Sequence, residues 1–408
     1  MKTVFFFTSS FPFPRGEQFI ETEIKYLNNI PAKIIVIPQK CNGCRRFVPD
    51  TIELDLSFSR KSKFVKTFIF FYYLLQAASY FPPLKKTFLK IKSISDFRNI
   101  VTTFGQSAYL YSRLKKLIRV HGGRDIVIYS FWYGPASYAG SKLKELYPSI
   151  KLYSRAHNCD LYVKEKSCHS MAIKKYASGS IDAICPVSEN GKQYLRDVIG
   201  IPADKLKTYR LGVKNHPYIA MYNSKSNFCI VSCSFINRSK RVHLIVDVLS
   251  VLSEMFPETQ LQWIHIGDGK LRNAVESNAR KKLTSPNIRY EFLGHIPNER
   301  VYRFYRKNKI DGFLHLSSAE GIQVSIMEAL SFGIPVIATD VGGVSELVNK
   351  NNGFLIEKEV DIQAAAGWIK KLEVFRNLDK RKKIKSELYE LYSADVNYPK
   401  FVKEILLS

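Results

Sequence analysis

Two glutamates of this 408-residue chain, Glu320 and Glu328, stand with seven residues between them at the edge of a helix-like pattern. From Ile310 the chain reads IDGFLHLSSAEGIQVSIMEALSFGIPVIATDVGGVSEL. A strand over Gly312–Leu316 is expected to lead through Ser317, Ser318 and Ala319 into Glu320 and Gly321, and a helix from about Gln323 to Ser331 to end at Gly333. The amides of Gly321, Ile322, Gln323, Val324 and Ser325 then lie at a helix start, where N–H groups lack partners and attract anions. Glu320 falls before the helix, and Glu328 more than one turn inside it, on the face of Val324. A carboxylate accepts two hydroxyls at once, so Glu328 suits a vicinal diol such as a ribose and Glu320 a second polyol further along. Spacing alone leaves open the plainer alternative of two solvent-exposed helix glutamates.

Residues placed this way need strands to end beside them. Short apolar runs alternate with helix-length amphipathic stretches, as in α/β units on a parallel sheet. Strands are expected at Val4–Phe7, Lys33–Ile37, Asp125–Ser130, Ile150–Ser154 and Ala183–Val187, with helices such as Gln18–Asn28 and Gln106–Val120 between them. The rhythm repeats at Phe228–Ser232, Leu261–Ile266, Ile288–Leu293, Gly312–Leu316 and Pro335–Ala338. Between about 212 and 227, Gly212, Asn215, Pro217, Asn223 and Ser224 cluster without period, as in a linker. The expected architecture is α/β, two Rossmann-like doubly wound domains facing a central cleft, where ligands of such sheets bind.

Composition narrows the partners. Hydrophobic residues make up 46% and charged ones 24%, which excludes collagen-like, disordered and disulfide-scaffold classes. The chain carries 62 Lys+Arg against 36 Asp+Glu, a net +26, and most of the excess lies before residue 220. That asymmetry points to an anionic partner: nucleic acid, a phosphorylated ligand or an acidic membrane surface. Seven cysteines without a framework fit a reducing compartment; Cys41 and Cys44 have the spacing of half a zinc site, and the second half is missing. The apolar run Val4–Phe7 stops at Thr8-Ser9-Ser10, too short for a signal peptide, so it reads as a buried first strand of a cytoplasmic protein. Thr67 to Leu84 contains no charge, but Pro82-Pro83 leaves it about 22 Å of helix, short of the roughly 30 Å of hydrocarbon. Its flanks from Arg60 to Arg119 are strongly basic. An interfacial membrane anchor is one reading of this segment and a core helix with solvated neighbours the other.

The stretch around the two glutamates resembles the E-x7-E signature of retaining, nucleotide-sugar-dependent family 4 glycosyltransferases, which have the GT-B fold. Phe313 through Ile322, the helix Val324–Leu330 and the run from Gly333 to Gly343 follow that pattern, with Gln323 where a proline is frequent. Ile266-Gly267-Asp268-Gly269 resembles the family's strand–turn–helix, and Phe292 to Ile296, with His295, the loop whose backbone contacts the base. Cys233 to Ile245 is similar to the segment that supplies an arginine and a lysine to the diphosphate. Lys240 matches the lysine, Phe235 occupies the arginine's place, and Arg238 or Arg241 is left to reach the diphosphate. Ser9 to Glu17, with Gly16, resembles the loop after the first strand that approaches donor and acceptor. Ser154 to Tyr162 resembles the family's His…Asp segment, and His157 would there hydrogen-bond the transferred sugar.

The resemblance implies an acceptor-binding domain over 1–215, with a membrane-facing hydrophobic and basic segment at about 60–120. A nucleotide-sugar domain follows over 216–390, and a C-terminal helix over 391–408 packs back across the cleft. It implies His157 and Glu320 as catalytic residues. The donor set is Gly16, Arg238, Lys240, Gly267, His295, Ile296, Glu320, Gly321, Ile322, Gln323, Val324, Ser325 and Glu328. No Asp-x-Asp occurs, so the leaving diphosphate is expected to be stabilised by fixed cations and helix amides, without metal or other cofactor. The expected reaction is transfer from a nucleotide diphosphate sugar to a saccharide acceptor, lipid-diphosphate-linked, with retention, in cell-surface polysaccharide synthesis. Its expected place is the inner face of the cell membrane, as a peripheral protein. The alternatives are a GT-B sugar-nucleotide 2-epimerase and a basic nucleic-acid-binding protein; RNP-like and C2H2 patterns for the latter are absent.

Overall fold

The computed structural model describes residues 1–13, 16–28, 30–57, 59, 94–121, 125–158, 160–162, 174–224 and 226–407, with side chains only in part over 94–100. The uncharged stretch 67–84 and its basic surroundings from 60 to 93 lie outside the described residues. The chain divides into two compact units, Met1–Arg210 together with Tyr398–Ser408, and Leu211–Asn397.

The first unit holds β1 (Lys2–Thr8), β2 (Ala32–Pro38), β3 (Glu53–Leu54), β4 (Ile126–Ser130), β5 (Lys151–Ala156) and β6 (Ala183–Pro186) in the order β3-β2-β1-β4-β5-β6. Each neighbouring pair is parallel. Helices α1 (Ile20–Leu27), α2 (Ile94–Val120), α3 (Pro135–Leu146) and α4 (Glu189–Asp197) run along the same stretch of chain. Successive side chains of a strand point to opposite faces, and here both faces are covered. Phe5, Phe7, Ile35, Ile37 and Ile128 share one core with Phe104 and Leu114 of α2 and Leu143 of α3. Val4, Phe6, Ile34, Val36 and Tyr129 share the other with Ile20 and Ile24 of α1 and with Phe401, Val402 and Ile405. Two-sided burial is why these strands read as unbroken apolar runs, each large side chain contributing about 1.5–3 kcal/mol.

In the second unit β7 (Asn227–Cys233), β8 (Gln260–Ile266), β9 (Ile288–Gly294), β10 (Gly312–His315), β11 (Val336–Thr339) and β12 (Gly353–Ile356) form a sheet in the order β12-β11-β10-β7-β8-β9. It too is parallel throughout. Its helices are α5 (Val242–Met255), α6 (Arg272–Lys282), α7 (Asn298–Lys307), α8 (Val324–Ser331), α9 (Ile362–Lys371) and α10 (Leu378–Tyr392); α11 (Ala394–Phe401) leads the chain back to the first unit. Each sheet reverses its order beside its first strand, between β1 and β4 and between β7 and β10. Ligands of open α/β sheets bind outside the carboxyl ends of strands at such switch points. The loops after these four strands therefore carry the residues of interest.

All ten expected strands are present, each within two residues of its expected ends, and the short edge strands β3 and β12 are additional. Helix α2 starts at Ile94, twelve residues before the pattern suggested. The last residues are tied to the first unit by a buried charge. The Arg155 guanidinium lies 4.0 Å above the Phe401 ring, donates to the Tyr129 hydroxyl at 2.8 Å and to the Tyr209 carbonyl at 3.0 Å, and pairs with Glu23 at 3.3 Å. Burial pushes the Glu23 carboxyl up, and the adjacent Arg155 charge opposes it. Among the described residues no helix is long and apolar enough to cross a membrane.

Candidate functional site

Strand β10 is buried throughout and ends at His315. Beyond it the chain is clamped by Arg241, whose φ of 48° is left-handed. Its guanidinium donates to the carbonyls of Leu316 at 2.7 Å, Ser317 at 3.0 Å and Lys358 at 2.7 Å. The Ser318 amide donates to the Ser239 carbonyl at 2.7 Å, so the loops after β7 and β10 are joined. Arg241 is thus committed to backbone carbonyls and is not available to a diphosphate, which leaves Arg238, exposed on the same loop. Phe235 is also half exposed there.

The joined loops bring Lys240 onto Glu320. The ammonium donates to Glu320 Oε1 and, at 3.0 Å, to Gln323 Oε1. His315 Nε2 lies 2.7 Å from the same carboxylate oxygen. A carboxylate can only accept, so this ring nitrogen carries the proton. Glu320 is only 4% exposed. Burial pushes its carboxyl up, but the His315 hydrogen bond and the Lys240 charge outweigh burial and hold it at about 2. Burial lowers the His315 ring below its ordinary value against the pull of Glu320, so at pH 7 it is a neutral donor and Lys240 is the counter-charge.

Glu328 lies in a different environment. It is buried in α8, where Asn298 at the first position of α7 donates to its Oε1. Burial pushes its carboxyl up to about 7, with the Asn298 hydrogen bond opposing. One glutamate is thus ionised and paired, and the other is raised into the neutral range with acceptor capacity to spare. Both are buried, which removes the alternative of solvent-exposed helix glutamates. Helix α8 buries Ser325 through Ser331, and no side chain caps its start at Gln323. Ile322 is buried, and the Gly321 carbonyl accepts from the Gly343 amide at 2.8 Å.

Gly267 follows β8 with φ +143°, and a Cβ there would lie 1.9 Å from the Ser234 carbonyl oxygen. Only glycine lets the loops after β7 and β8 approach so closely. Its amide donates to the Gly294 carbonyl at 2.9 Å, which brings in the loop with exposed His295 and half-buried Ile296. The structure therefore puts Lys240, Glu320 and Gln323 in direct contact. Arg238, Gly267, His295 and Ile296 stand on loops at the same carboxyl end of the sheet.

The first unit has its own cluster beyond β1 and β4. Gly16, at φ +94°, is followed by Glu17, left-handed at φ 59° and buried. The Glu17 carboxylate accepts from the amides of Ser9 at 2.7 Å, Ser10 at 2.6 Å and Phe11 at 2.6 Å, and from the Trp132 indole. The Trp132 ring meets His157 edge-on at 4.7 Å, and His157 stacks on Phe131 at 4.5 Å. His157 Nε2 lies 3.1 Å from the Phe131 carbonyl, so Nε2 carries the proton and Nδ1 is the acceptor. Burial and the Arg155 charge lower this ring to about 3. Asp160 holds the segment, accepting from the amides of His157 at 2.9 Å and Tyr133 at 2.8 Å.

Glu17, Trp132, His315 and Asn298 were not singled out from the sequence. Their partners are remote in the chain: Trp132 is 115 residues from Glu17, and Asn298 is 30 from Glu328. A carboxylate beside a glycine in the loop after a first strand was the one visible signal, at Gly16-Glu17.

Residues 222–390 match the family model for glycosyl transferases group 1. The O-antigen biosynthesis glycosyltransferase WbnH of Escherichia coli is 27% identical over 287 residues, which cover 69% of this chain and 71% of that protein. Among solved structures, the apo form of the lipopolysaccharide outer core galactosyltransferase WaaB matches with a TM-score of 0.70 at 15% identity, over 100% of this chain and 99% of that one. Anabaena Alr3699/HepE, in complex with UDP and glucose, matches with a TM-score of 0.69 at 17% identity over the whole of both chains. At these identities the structural likeness is one of fold.

Proposed function

We propose that this chain, which has the GT-B fold and whose residues 222–390 match the model for glycosyl transferases group 1, is a glycosyltransferase that moves a sugar from a nucleoside diphosphate sugar to a saccharide acceptor in polysaccharide assembly. One observation carries the donor reading: two buried glutamates shifted in opposite directions, Glu320 held low with a lysine on it and Glu328 pushed up by burial. Glu328 takes the ribose diol, for which a carboxylate with spare acceptor capacity is suited. Lys240, Arg238 and the amides of Gly321 to Ser325 take the diphosphate, whose charge grows as it leaves. Glu320 accepts hydroxyls of the transferred sugar, and Gly267, His295 and Ile296 lie towards the base. On the first unit, Gly16 belongs to the loop after β1, and His157 offers Nδ1 to a sugar hydroxyl.

In this reading the anomeric C–O bond to the diphosphate breaks and its electron pair stays on the leaving oxygen. The acceptor oxygen forms its bond to the same carbon on the same face, and its proton passes to the departing phosphate. Configuration is retained, and Lys240 with the helix amides supplies the positive field without a metal. The acceptor is a lipid-diphosphate-linked saccharide at the inner face of the cell membrane, supported by the basic, apolar character of 60–119 and by the O-antigen role in the name of WbnH.

Thermal-shift screening against UDP-, GDP- and ADP-sugars, followed by transfer assays with lipid-linked acceptors with and without EDTA, tests this reading. Glu328→Ala should weaken nucleotide-sugar binding by roughly 1–3 kcal/mol, and unchanged affinity would remove Glu328 from the donor site. Flotation with anionic liposomes tests the membrane part, which fails if deleting 67–81 alters neither folding nor liposome binding.

A further inference from the structure

His315 is the last residue of β10 and only 3% exposed, among the apolar neighbours Phe313, Leu314 and Leu316. An imidazole kept there for packing alone would pay for burying two nitrogens where a leucine would not. Its Nε2 meets one atom, Glu320 Oε1, which also accepts from Lys240. We propose that His315 is a positioning residue of the donor site: it fixes the Glu320 carboxylate and shares the oxygen that holds Lys240, and so sets how readily Lys240 is released to an incoming diphosphate. This rests on the reading of Lys240 and Glu320 given above.

With no diphosphate bound, the ammonium is occupied by Glu320 Oε1 and Gln323 Oε1. A nucleoside diphosphate must draw it away from both. Two donors on one carboxylate oxygen divide its charge, so each bond is weaker than it would be alone. Without the His315 proton, Glu320 grips Lys240 harder and its own side chain is less constrained. Both changes oppose diphosphate binding. The charged groups that act on His315 are Glu320 and Lys240, and His265 on β8, two strands away across β7, is the other ring that senses it electrostatically.

The test uses the full chain with His315→Leu and His315→Gln, titrated by calorimetry with UDP, GDP and ADP in turn. The nucleotide that binds the wild-type protein should bind the leucine variant about tenfold more weakly, the scale of one lost hydrogen bond to a charged group. Glutamine, which can present an N–H to the same oxygen, should recover affinity to within about threefold of wild type. A packing role predicts no such recovery. The ¹⁵N spectrum of the wild-type ring should show a neutral, Nε2-protonated His315 at pH 7, and an Nδ1-protonated or cationic ring overturns the proposal even if the leucine variant does not fold. Wild-type affinity in the leucine variant, or a glutamine variant as weak as leucine, overturns it too. If Glu320→Ala impairs turnover while His315→Leu does not, only the role of His315 falls. If none of the three nucleotides binds, or Glu320→Ala is fully active, the underlying donor-site reading falls with it.

Discussion

Binding of a nucleotide sugar should expel a proton from Glu328. Burial lifts this carboxyl from an ordinary 4.5 to about 7, so at pH 6 about nine-tenths of the ligand-free protein carries a proton there. Two ribose hydroxyls donate best to the ionised form, which returns the group towards its ordinary value. Binding then releases about 0.9 proton at pH 6, about 0.5 at pH 7 and about 0.1 at pH 8. Affinity should accordingly rise about tenfold from pH 6 to pH 8, or about 1.4 kcal/mol. A nucleotide sugar is the proper ligand, because its doubly esterified diphosphate does not titrate near neutrality. Calorimetry at pH 6 in buffers of different ionisation enthalpy measures the proton directly. The same group makes a stability statement: between pH 4.5 and 7 the folded chain binds more protons than the unfolded one, so stability falls as pH rises through that window, by about 3 kcal/mol from this carboxyl. Glu328→Gln should remove both the proton release and that part of the slope. Buffer-independent enthalpy in the wild type, or proton release that persists in the glutamine variant, refutes the reasoning.

Glu17→Ala leaves three amides and an indole N–H without their acceptor, and should lower stability by roughly 3–5 kcal/mol in a denaturant titration. Arg238→Ala should weaken nucleotide-sugar binding with little change in melting temperature. Arg241→Ala should do the reverse first, lowering the melting temperature because three carbonyls lose their donor; thermal shift with and without ligand separates the two. His157, lowered to about 3 by burial and Arg155, should remain a neutral Nε2–H ring from pH 5 to 8 by ¹⁵N spectroscopy, and a titration within that window would contradict its buried placement.

The parallel sheets and their strands were legible because two-sided burial writes itself as apolar runs of strand length. Val4–Phe7 and Ile34–Ile37 show it directly, each alternate residue going to a different core. Strands β3 and β12 were not legible, since Glu53-Leu54 is only two residues long with one of them exposed, and Gly353–Ile356 is only partly buried beyond its glycine, so neither carries two-sided burial. Helix α2 was read short because its first turns, through Ile94 and Phe97, leave large apolar side chains exposed and so carry no clean stripe.

The sequence by itself determined the types and local spacing of the site: Glu320 before a helix, Glu328 within it, glycines at the tight turns and a lysine after β7. These are properties of neighbouring residues, fixed by helix and turn geometry. The tertiary structure decided what each group is. That Glu320 is held low and Glu328 pushed up depends on burial and on Lys240, His315 and Asn298, which reach them from another loop, strand and helix. That Arg241 clamps backbone carbonyls instead of waiting for an anion depends on where β10 ends. Charge, burial and hydrogen bonding act through space over a few ångströms, and those distances exist only once the sheet has brought remote parts of the chain side by side.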